Sequence, residues 1–297
     1  MQIFSLWDGG ANGAPDVVKH CFDRWQTLNP GYNLTVFDGA GLRETLQDYP
    51  SWIHQVPIQA LSDIFRLELL ARNGGVWVDA TAFPVIPLDD WLPAALEPAG
   101  FFAFTGRRGN RWSPLDSWFL AAQPGNAVCR PWREAIRAYW DRPRQISPAS
   151  LPHRRRPGRL KRIMQALTNP KLTQWEKAFN RNPRWSVQAP GREAPLYPYF
   201  WVFLLAAELY HGDPDFRAAL EAMPAFPHEL THVLAGSVPS QASTYSNVEG
   251  ILPVLLSAAP VHKLDWRRSW PETLWRTAPS KDILLPVKHD GRSARIK

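Results

Sequence analysis

Short apolar runs and one helical stretch alternate over the first forty residues. Ile3 to Leu6 and Leu34 to Phe37 are mainly apolar runs of strand length, and each leads into an Asp-Gly pair typical of turns. Between them the apolar residues recur at the three- and four-residue spacing of one helix face: Val17, Val18, Cys21, Phe22 and Trp25. A strand, a helix and a second strand predict a βαβ unit with a parallel strand pair, and therefore an α/β fold.

A second helix-to-strand unit follows. The apolar spacing from Ile58 to Asn73 predicts a helix that stops at Gly74 and Gly75, because glycine is the common helix terminator. The apolar residues 76–78 then predict a short buried strand, and Asp79 comes directly after it. Ligands of open α/β sheets bind at the carboxyl ends of the strands. Asp79 is therefore placed where a ligand is expected.

The pattern becomes weaker along the chain. Apolar runs predict strands over 101–104 and 118–122, and helical spacing predicts helices over 127–140, 199–210 and 215–223. Residues 148–198 are basic and rich in loop-forming residues. We expect a single domain over residues 1–297, in which 1–140 form a ligand-binding core and 141–297 form a helical, loop-rich acceptor or lid region.

Composition excludes several classes of protein. Apolar residues make up 45% of the 297 residues and charged residues 21%, which suits a folded domain rather than a disordered chain. The longest apolar run, Phe200 to Ala207, is much shorter than the roughly 20 residues of a transmembrane helix. The start has no basic secretory leader, so we expect a cytoplasmic protein. Cys21 and Cys129 are expected to be buried free thiols.

The net charge of +7 is concentrated in one stretch, from His153 to Arg162. Two interpretations stay open: a solvated loop, or peripheral attachment to the anionic inner face of the cytoplasmic membrane. We expect no nucleic-acid partner, because no nucleic-acid-binding module accompanies the basic residues.

Two polar groups carry the candidate chemistry. Asp63 and Arg66 are three residues apart on the predicted helix, so an acceptor and a forked donor project from one face, as binding of a polyhydroxylated ligand requires. A plain surface ion pair is the alternative. Asp79 is a candidate ligand for a hard divalent cation, with a turn or cap role as the alternative.

The residues from Gln59 to Thr81 (QALSDIFRLELLARNGGVWVDAT) resemble the signature of the capsular polysaccharide synthesis glycosyltransferases. These are relatives of the glycosyltransferase family 32 mannosyltransferases and of the clostridial glucosylating toxins. The opening 3–32 and the stretches 117–126 and 260–266 fit the same family. The resemblance implies a GT-A fold, which is a Rossmann-like nucleotide-sugar-binding α/β fold.

The resemblance also implies roles for particular residues. Trp7 would stack on the nucleotide base, and Asp63 and Arg66 would hold hydroxyls of the donor sugar as catalytic residues. Asp79 would ligate a divalent cation, Mn²⁺ or Mg²⁺. Lys263 would lie near the diphosphate.

One position departs from the family pattern. The usual motif has two aspartates separated by one residue, whereas Asp79 is followed by Ala80 and Thr81. Thr81 is a weaker, neutral ligand, so we expect His262 to complete the metal shell, with a structural histidine as the alternative. Trp266 and Trp270, beside His262, are candidate lid residues.

The function implied is transfer of a sugar from a UDP- or GDP-sugar to a hydroxyl of a glycan or a lipid-linked oligosaccharide in bacterial surface polysaccharide synthesis, with retention of configuration. Two alternatives stay open. One is an effector-type transferase that glycosylates a protein. The other is a non-catalytic basic binding protein on a degenerate transferase fold.

Overall fold

A computed structural model describes residues 1–106, 114–147, 164, 167–168, 170–189, 191–239, 246–280, 282–286 and 295–296. The basic stretch 153–162 lies outside these residues, so the prediction that it binds a membrane stays a prediction. Among the helices that are described, none is both long and apolar enough to cross a bilayer.

A five-stranded mixed sheet forms the centre of the fold, in the order β2-β1-β3-β6-β5. The strands of the first half of the chain are β1 (Gln2–Leu6), β2 (Asn33–Phe37), β3 (Gly75–Val78), β4 (Ala82–Pro84), β5 (Phe101–Thr105) and β6 (Leu115–Ala122). β1 pairs in parallel with both β2 and β3, which confirms the predicted βαβ unit and the α/β class. β6 runs antiparallel to β3 and β5. The start of β6 therefore lies beside the carboxyl end of β3.

The helices of the first half are α1 (Asp16–Leu28), α2 (Gly39–Thr45), α3 (Ile58–Asn73), α4 (Leu92–Leu96) and α5 (Cys129–Tyr139). α3 has the bounds predicted from its apolar spacing, because Pro57 precedes it and Gly74, at φ 65°, ends it. Gly75 follows at φ 99°, and a Cβ there would lie 2.8 Å from the backbone oxygen of Gln2. The glycine pair thus allows β3 to enter the sheet directly beside β1.

The second half is mainly helical, as predicted. Its helices are Pro170–Arg181, Trp201–Gly212, Pro214–Ala222, His228–Thr231, Val233–Ser237, Ser246–Glu249 and Leu252–Leu256. Its short strands are β7 (Gln145–Ile146), β8 (Leu196–Tyr197), β9 (Val261–Lys263), β10 (Ile283–Leu284) and β11 (Arg295–Ile296). β9 runs antiparallel to β4, with Lys263 opposite Ala82. This pairing brings Lys263, from the second half of the chain, close to the carboxyl end of β3.

Buried apolar residues join the two halves. The main cluster contains residues from Ile3 to Val261. A second cluster packs Val18 and Cys21 of α1 against Phe83 of β4 and Leu256. Cys21 and Cys129 are both buried and free, as expected. Burial raises the pKa of each thiol to about 12, so neither is a nucleophile at neutral pH.

Candidate functional site

A cleft of about 790 Å³ opens at the carboxyl ends of β1 and β3. That volume lies within the range of about 300 to 1,000 Å³ that is usual for small-molecule sites. Its walls come from distant parts of the chain, and they include the predicted site residues Trp7, Asp63, Arg66, Asp79, Thr81 and Lys263. The fold therefore gathers into one concave surface six residues that are spread over more than 250 positions of the sequence.

Arg66 lines this cleft and joins the carboxylates of Asp63 and Asp79. Its Nη2 is 3.2 Å from Oδ1 of Asp63 and 3.4 Å from Oδ1 of Asp79. Its Nη1 donates to the hydroxyl of Ser117 at 2.8 Å, and the guanidinium lies 5.1 Å from the centre of the Trp77 ring. Arg66 is 5% exposed, so it is a buried residue rather than a member of a surface ion pair.

Asp79 is held between two cations, the ammonium of Lys263 and the guanidinium of Arg66. Lys263 Nζ donates to its Oδ2 at 2.6 Å, and the indole nitrogen of Trp77 donates to its Oδ1 at 3.1 Å. Its backbone nitrogen donates to the carbonyl of Trp118 on β6 at 2.8 Å. The carboxylate is thus fixed by charge and by the sheet, and it remains 27% exposed to the cleft.

The two carboxylates differ in their electrostatics. Burial raises the pKa of Asp63 to about 6, against the opposing effect of Arg66 and with a further contribution from the charge of Asp79. Burial also acts to raise the pKa of Asp79, but Lys263 and Arg66 outweigh it and hold that pKa below its usual value. A group whose pKa is displaced toward neutrality in a cleft is a candidate functional group. Asp63 is that group here.

Aromatic side chains form the rim of the cleft. The rings of Trp7 and Trp266 meet edge to face with centroids 5.6 Å apart, and Trp266 is 42% exposed. Trp270 does not lie at the rim: it is buried, and its indole nitrogen donates to the backbone oxygen of Asp265. Tyr199 and Phe200, which are 43% and 60% exposed, form another part of the cleft wall.

The structure does not bring His262 to the cleft. Side chains alternate along a strand, so His262 points to the opposite face of β9 from Lys263. It is fully buried, and its Nε2 lies 3.0 Å from the carbonyl oxygen of Leu256. Burial lowers the pKa of this imidazole to about 4. His262 therefore occupies a buried structural position on β9, opposite Phe83 of β4.

The residues around Asp79 do not fit a divalent cation. Such ions take several oxygen ligands, whereas Asp79 is already paired with Lys263 and Arg66, and the neutral Thr81 is only 6% exposed. Because His262 points away from the cleft, the Asp79 carboxylate is the only charged member of the expected ligand set, and Lys263 and Arg66 already neutralise it.

Sequence reasoning missed a second polar group beyond Trp118. Asp116 on β6 accepts hydrogen bonds from the indole of Trp118 at 3.0 Å, and its Oδ2 lies 2.7 Å from Nδ1 of His228. His232, which reaches the cleft wall, stacks on His228 with centroids 3.8 Å apart. The four-residue spacing of the two histidines was the available signal. Nothing in the pattern of the chain pointed from them to Asp116.

Comparisons with known proteins point to one class of enzyme. Residues 1–148, about half of the chain, match the sequence model of a family described as capsular polysaccharide synthesis protein. Glycosyltransferase afumC of Aspergillus fumigatus is 27% identical over 164 residues, covering 47% of this chain and 40% of that protein. Putative glycosyltransferase HOC1 of Saccharomyces cerevisiae is 26% identical over 145 residues, covering 42% and 37%.

The chain thus spans about two fifths of the length of these curated relatives. Among solved structures, PaToxG Glycosyltransferase matches 74% of this chain and 76% of its own chain, at 15% identity and a TM-score of 0.35. The family model covers the part of the chain that contains β1, α3 and β3, and therefore most of the residues that line the cleft.

Proposed function

The chain belongs, through residues 1–148, to the capsular polysaccharide synthesis protein family, and we propose that it is a glycosyltransferase that uses a nucleotide-sugar donor. The observation that carries the proposal is the convergence of Trp7, Asp63, Arg66, Asp79 and Lys263 on one cleft at the carboxyl ends of β1 and β3. Asp63 and Arg66 share α3, and the other three residues come from separate parts of the fold. Their convergence is expected of a binding site and is not required by packing alone.

The donor lies with its base at the aromatic rim and its sugar over α3. Trp7 and Trp266 provide an edge-to-face aromatic pair against which a base stacks, a contact worth about 1 to 3 kcal/mol. Asp63 accepts hydrogen bonds from sugar hydroxyls, and Arg66 fixes the Asp63 carboxylate in position. Because the described residues give Asp63 one charged partner, its second oxygen is available to a substrate hydroxyl.

Positive charge for the departing diphosphate comes from Lys263. Lys263 lines the cleft, and its ammonium contacts Asp79 and lies 5.9 Å from the centre of the Trp118 ring. A fixed cation stabilises the charge that develops on the leaving group, which is the main electrostatic requirement of the reaction. The Mn²⁺ or Mg²⁺ expected at Asp79 has no place in this proposal.

The acceptor enters past Tyr199 and Phe200, whose exposed rings suit the apolar faces of a sugar. We infer transfer to a hydroxyl of a glycan or lipid-linked oligosaccharide with retention, in which the departing phosphate takes the acceptor proton. The bacterial surface polysaccharide rests on the family resemblance, and a peripheral position on the inner membrane face rests on the basic stretch from His153 to Arg162.

Release of nucleoside diphosphate from a panel of UDP- and GDP-sugars, with and without glycan acceptors, tests the proposal. We expect turnover with one donor, and loss of that turnover in Lys263→Met. Lys19→Met, at an exposed position on α1, is the control for loss of one positive charge and keeps full activity. Donor binding without turnover on any acceptor would contradict the enzyme and favour a binding protein.

A further inference from the structure

The group formed by Asp116, His228 and His232 has the composition of a transition-metal site. One potential ligand atom from each residue lies within 4.8 Å of the other two. In a tetrahedral zinc site with bonds of about 2.0 to 2.1 Å, neighbouring ligand atoms are about 3.3 Å apart. Small side-chain rotations would therefore bring the three atoms onto one ion.

The sequence spacing of the two histidines is typical of a metal site. His228, Glu229 and His232 have the H-E-x-x-H spacing, which places two imidazoles one helical turn apart on the same side. Their rings are nearly parallel, with an angle of 19° between the planes. An imidazole nitrogen binds a metal in the plane of its ring, so one of the two stacked rings must turn about its Cβ–Cγ bond for both nitrogens to meet at one ion, and this torsion has a broad range in histidine.

The hydrogen bonds around the three side chains support ligand roles. Nδ1 of His232 lies 3.0 Å from the carbonyl oxygen of His228, so this nitrogen carries the proton and Nε2 keeps a lone pair. A metal-binding histidine commonly donates its other ring proton to a backbone carbonyl in this way. The indole of Trp118 orients the Asp116 carboxylate, whose side chain is 10% exposed.

The site would be open on one side, because His232 lines the cleft. Two histidines and one carboxylate occupy three positions of a tetrahedral ion and leave a fourth for water or a ligand oxygen. Imidazole nitrogens favour Zn²⁺ and related ions over Mg²⁺ or Ca²⁺, which prefer oxygen. Trp118 separates this group from Asp79: its ring is 6.0 Å from that of His232 and 5.9 Å from the Lys263 ammonium.

We propose that Asp116, His228 and His232 form a binding site for Zn²⁺ or a similar divalent transition ion, whose open coordination position faces the cleft. The site is independent of the metal expected at Asp79. It also does not rest on the proposed transferase function, because it is tested by metal binding alone.

The test is titration of the untagged, chelator-stripped full chain with Zn²⁺ by calorimetry, followed by Co²⁺ substitution read from visible absorption. We expect one equivalent of Zn²⁺, visible absorption bands of Co²⁺ bound by nitrogen and oxygen, and at least about 100-fold weaker binding in His232→Gln and Asp116→Asn. His211→Gln, an exposed histidine in Trp201–Gly212, is the matched control and keeps wild-type binding.

Two outcomes overturn the proposal. One is a wild-type chain that binds no equivalent of Zn²⁺. The other is equal loss of binding in His211→Gln and in the site variants, which would show general histidine binding. Circular dichroism without metal separates misfolding from ligand loss, and His228→Gln provides a second site variant if Asp116→Asn does not fold.

Discussion

Two carboxylates on α3, Asp63 and Glu68, are both shielded from solvent and yet have opposite electrostatics. Glu68 has a fully buried side chain that accepts two hydrogen bonds from Arg137, at 2.6 and 3.0 Å, and one from Tyr49 at 2.8 Å. Asp63 has Arg66 as its charged partner among the described residues and faces the cleft.

The consequence appears in their proton affinities. Burial acts to raise the pKa of Glu68, but the bonds from Arg137 and Tyr49 outweigh it and leave that pKa below its usual value. Burial dominates at Asp63 and raises its pKa to about 6. A carboxylate with a complete set of donors contributes to the stability of the fold. A carboxylate whose donors are incomplete keeps acceptor capacity for a ligand.

Replacing Asp63 by Asn gives the largest expected effect. The cleft loses the negative charge that fixes Arg66, and the proposed hydrogen bond from the carboxylate to a sugar hydroxyl is lost. We therefore expect kcat/KM to fall by about 10² to 10³, as for loss of one well-placed polar group in an active site. Stability is unchanged or higher, because a buried carboxylate with a raised pKa is removed. Steady-state kinetics and urea unfolding measure the two quantities; near wild-type turnover would show that Asp63 does not contact substrate.

Glu68→Gln is the matched change at the other carboxylate. We expect a loss of about 3 kcal/mol in the free energy of unfolding, at the lower end for a broken buried pair, because Arg137 and Arg72 are about 40% exposed and recover hydration. The kcat/KM of the folded enzyme stays within about twofold of wild type. If Glu68→Gln kept its stability but lost activity, Glu68 would be a functional residue and not a stabilising one.

The two carboxylates also respond oppositely to pH. Because the folded pKa of Asp63 is raised, its contribution to stability falls as pH rises from about 4 to about 6; the lowered pKa of Glu68 makes its contribution fall as pH drops below its unfolded value. Asp63→Asn should therefore gain on wild type by on the order of 2 to 3 kcal/mol between pH 4 and 6. Urea unfolding across this range measures the gain, and a flat difference would mean that Asp63 titrates normally.

Trp266→Ala gives the smallest effect that is still measurable. Loss of one stacking surface weakens donor binding by about 1 to 3 kcal/mol, or roughly 5- to 150-fold in Kd. Trp175→Ala, at a tryptophan that does not line the cleft, should leave Kd unchanged. Fluorescence titration with the nucleoside diphosphate measures both Kd values. Equal values for the two variants would show that the base does not stack against Trp7 and Trp266.

The βαβ unit and α3 could be predicted because their signals are local. Apolar spacing and the Gly74-Gly75 stop define α3 without reference to the rest of the chain. The antiparallel direction of β6 and the pairing of β4 with β9 could not be predicted. They depend on contacts between residues more than 40 positions apart for β6 with β3, and about 180 positions apart for β4 with β9.

Residues of the candidate site could be predicted where a sequence motif contains them. They could not be predicted where only three-dimensional packing determines their position. Asp63, Arg66, Asp79 and Lys263 line one cleft, and the roles that the resemblance implies for them stay predictions. His262 lies next to Lys263 in sequence, but strand alternation turns it into the core. Asp116 and His232 meet through the folding of β6 against a distant helical turn, which no local pattern records.

The most direct test of the cleft as a donor site is thermal unfolding of wild type, Asp63→Asn and Glu68→Gln with and without the active nucleotide sugar. Donor at about 100 times its dissociation constant stabilises a binding-competent chain by about 2.7 kcal/mol. The cleft assignment predicts this gain in wild type and in Glu68→Gln, and its loss in Asp63→Asn. An equal gain in all three proteins would contradict the assignment, because donor would then bind without the cleft face of α3.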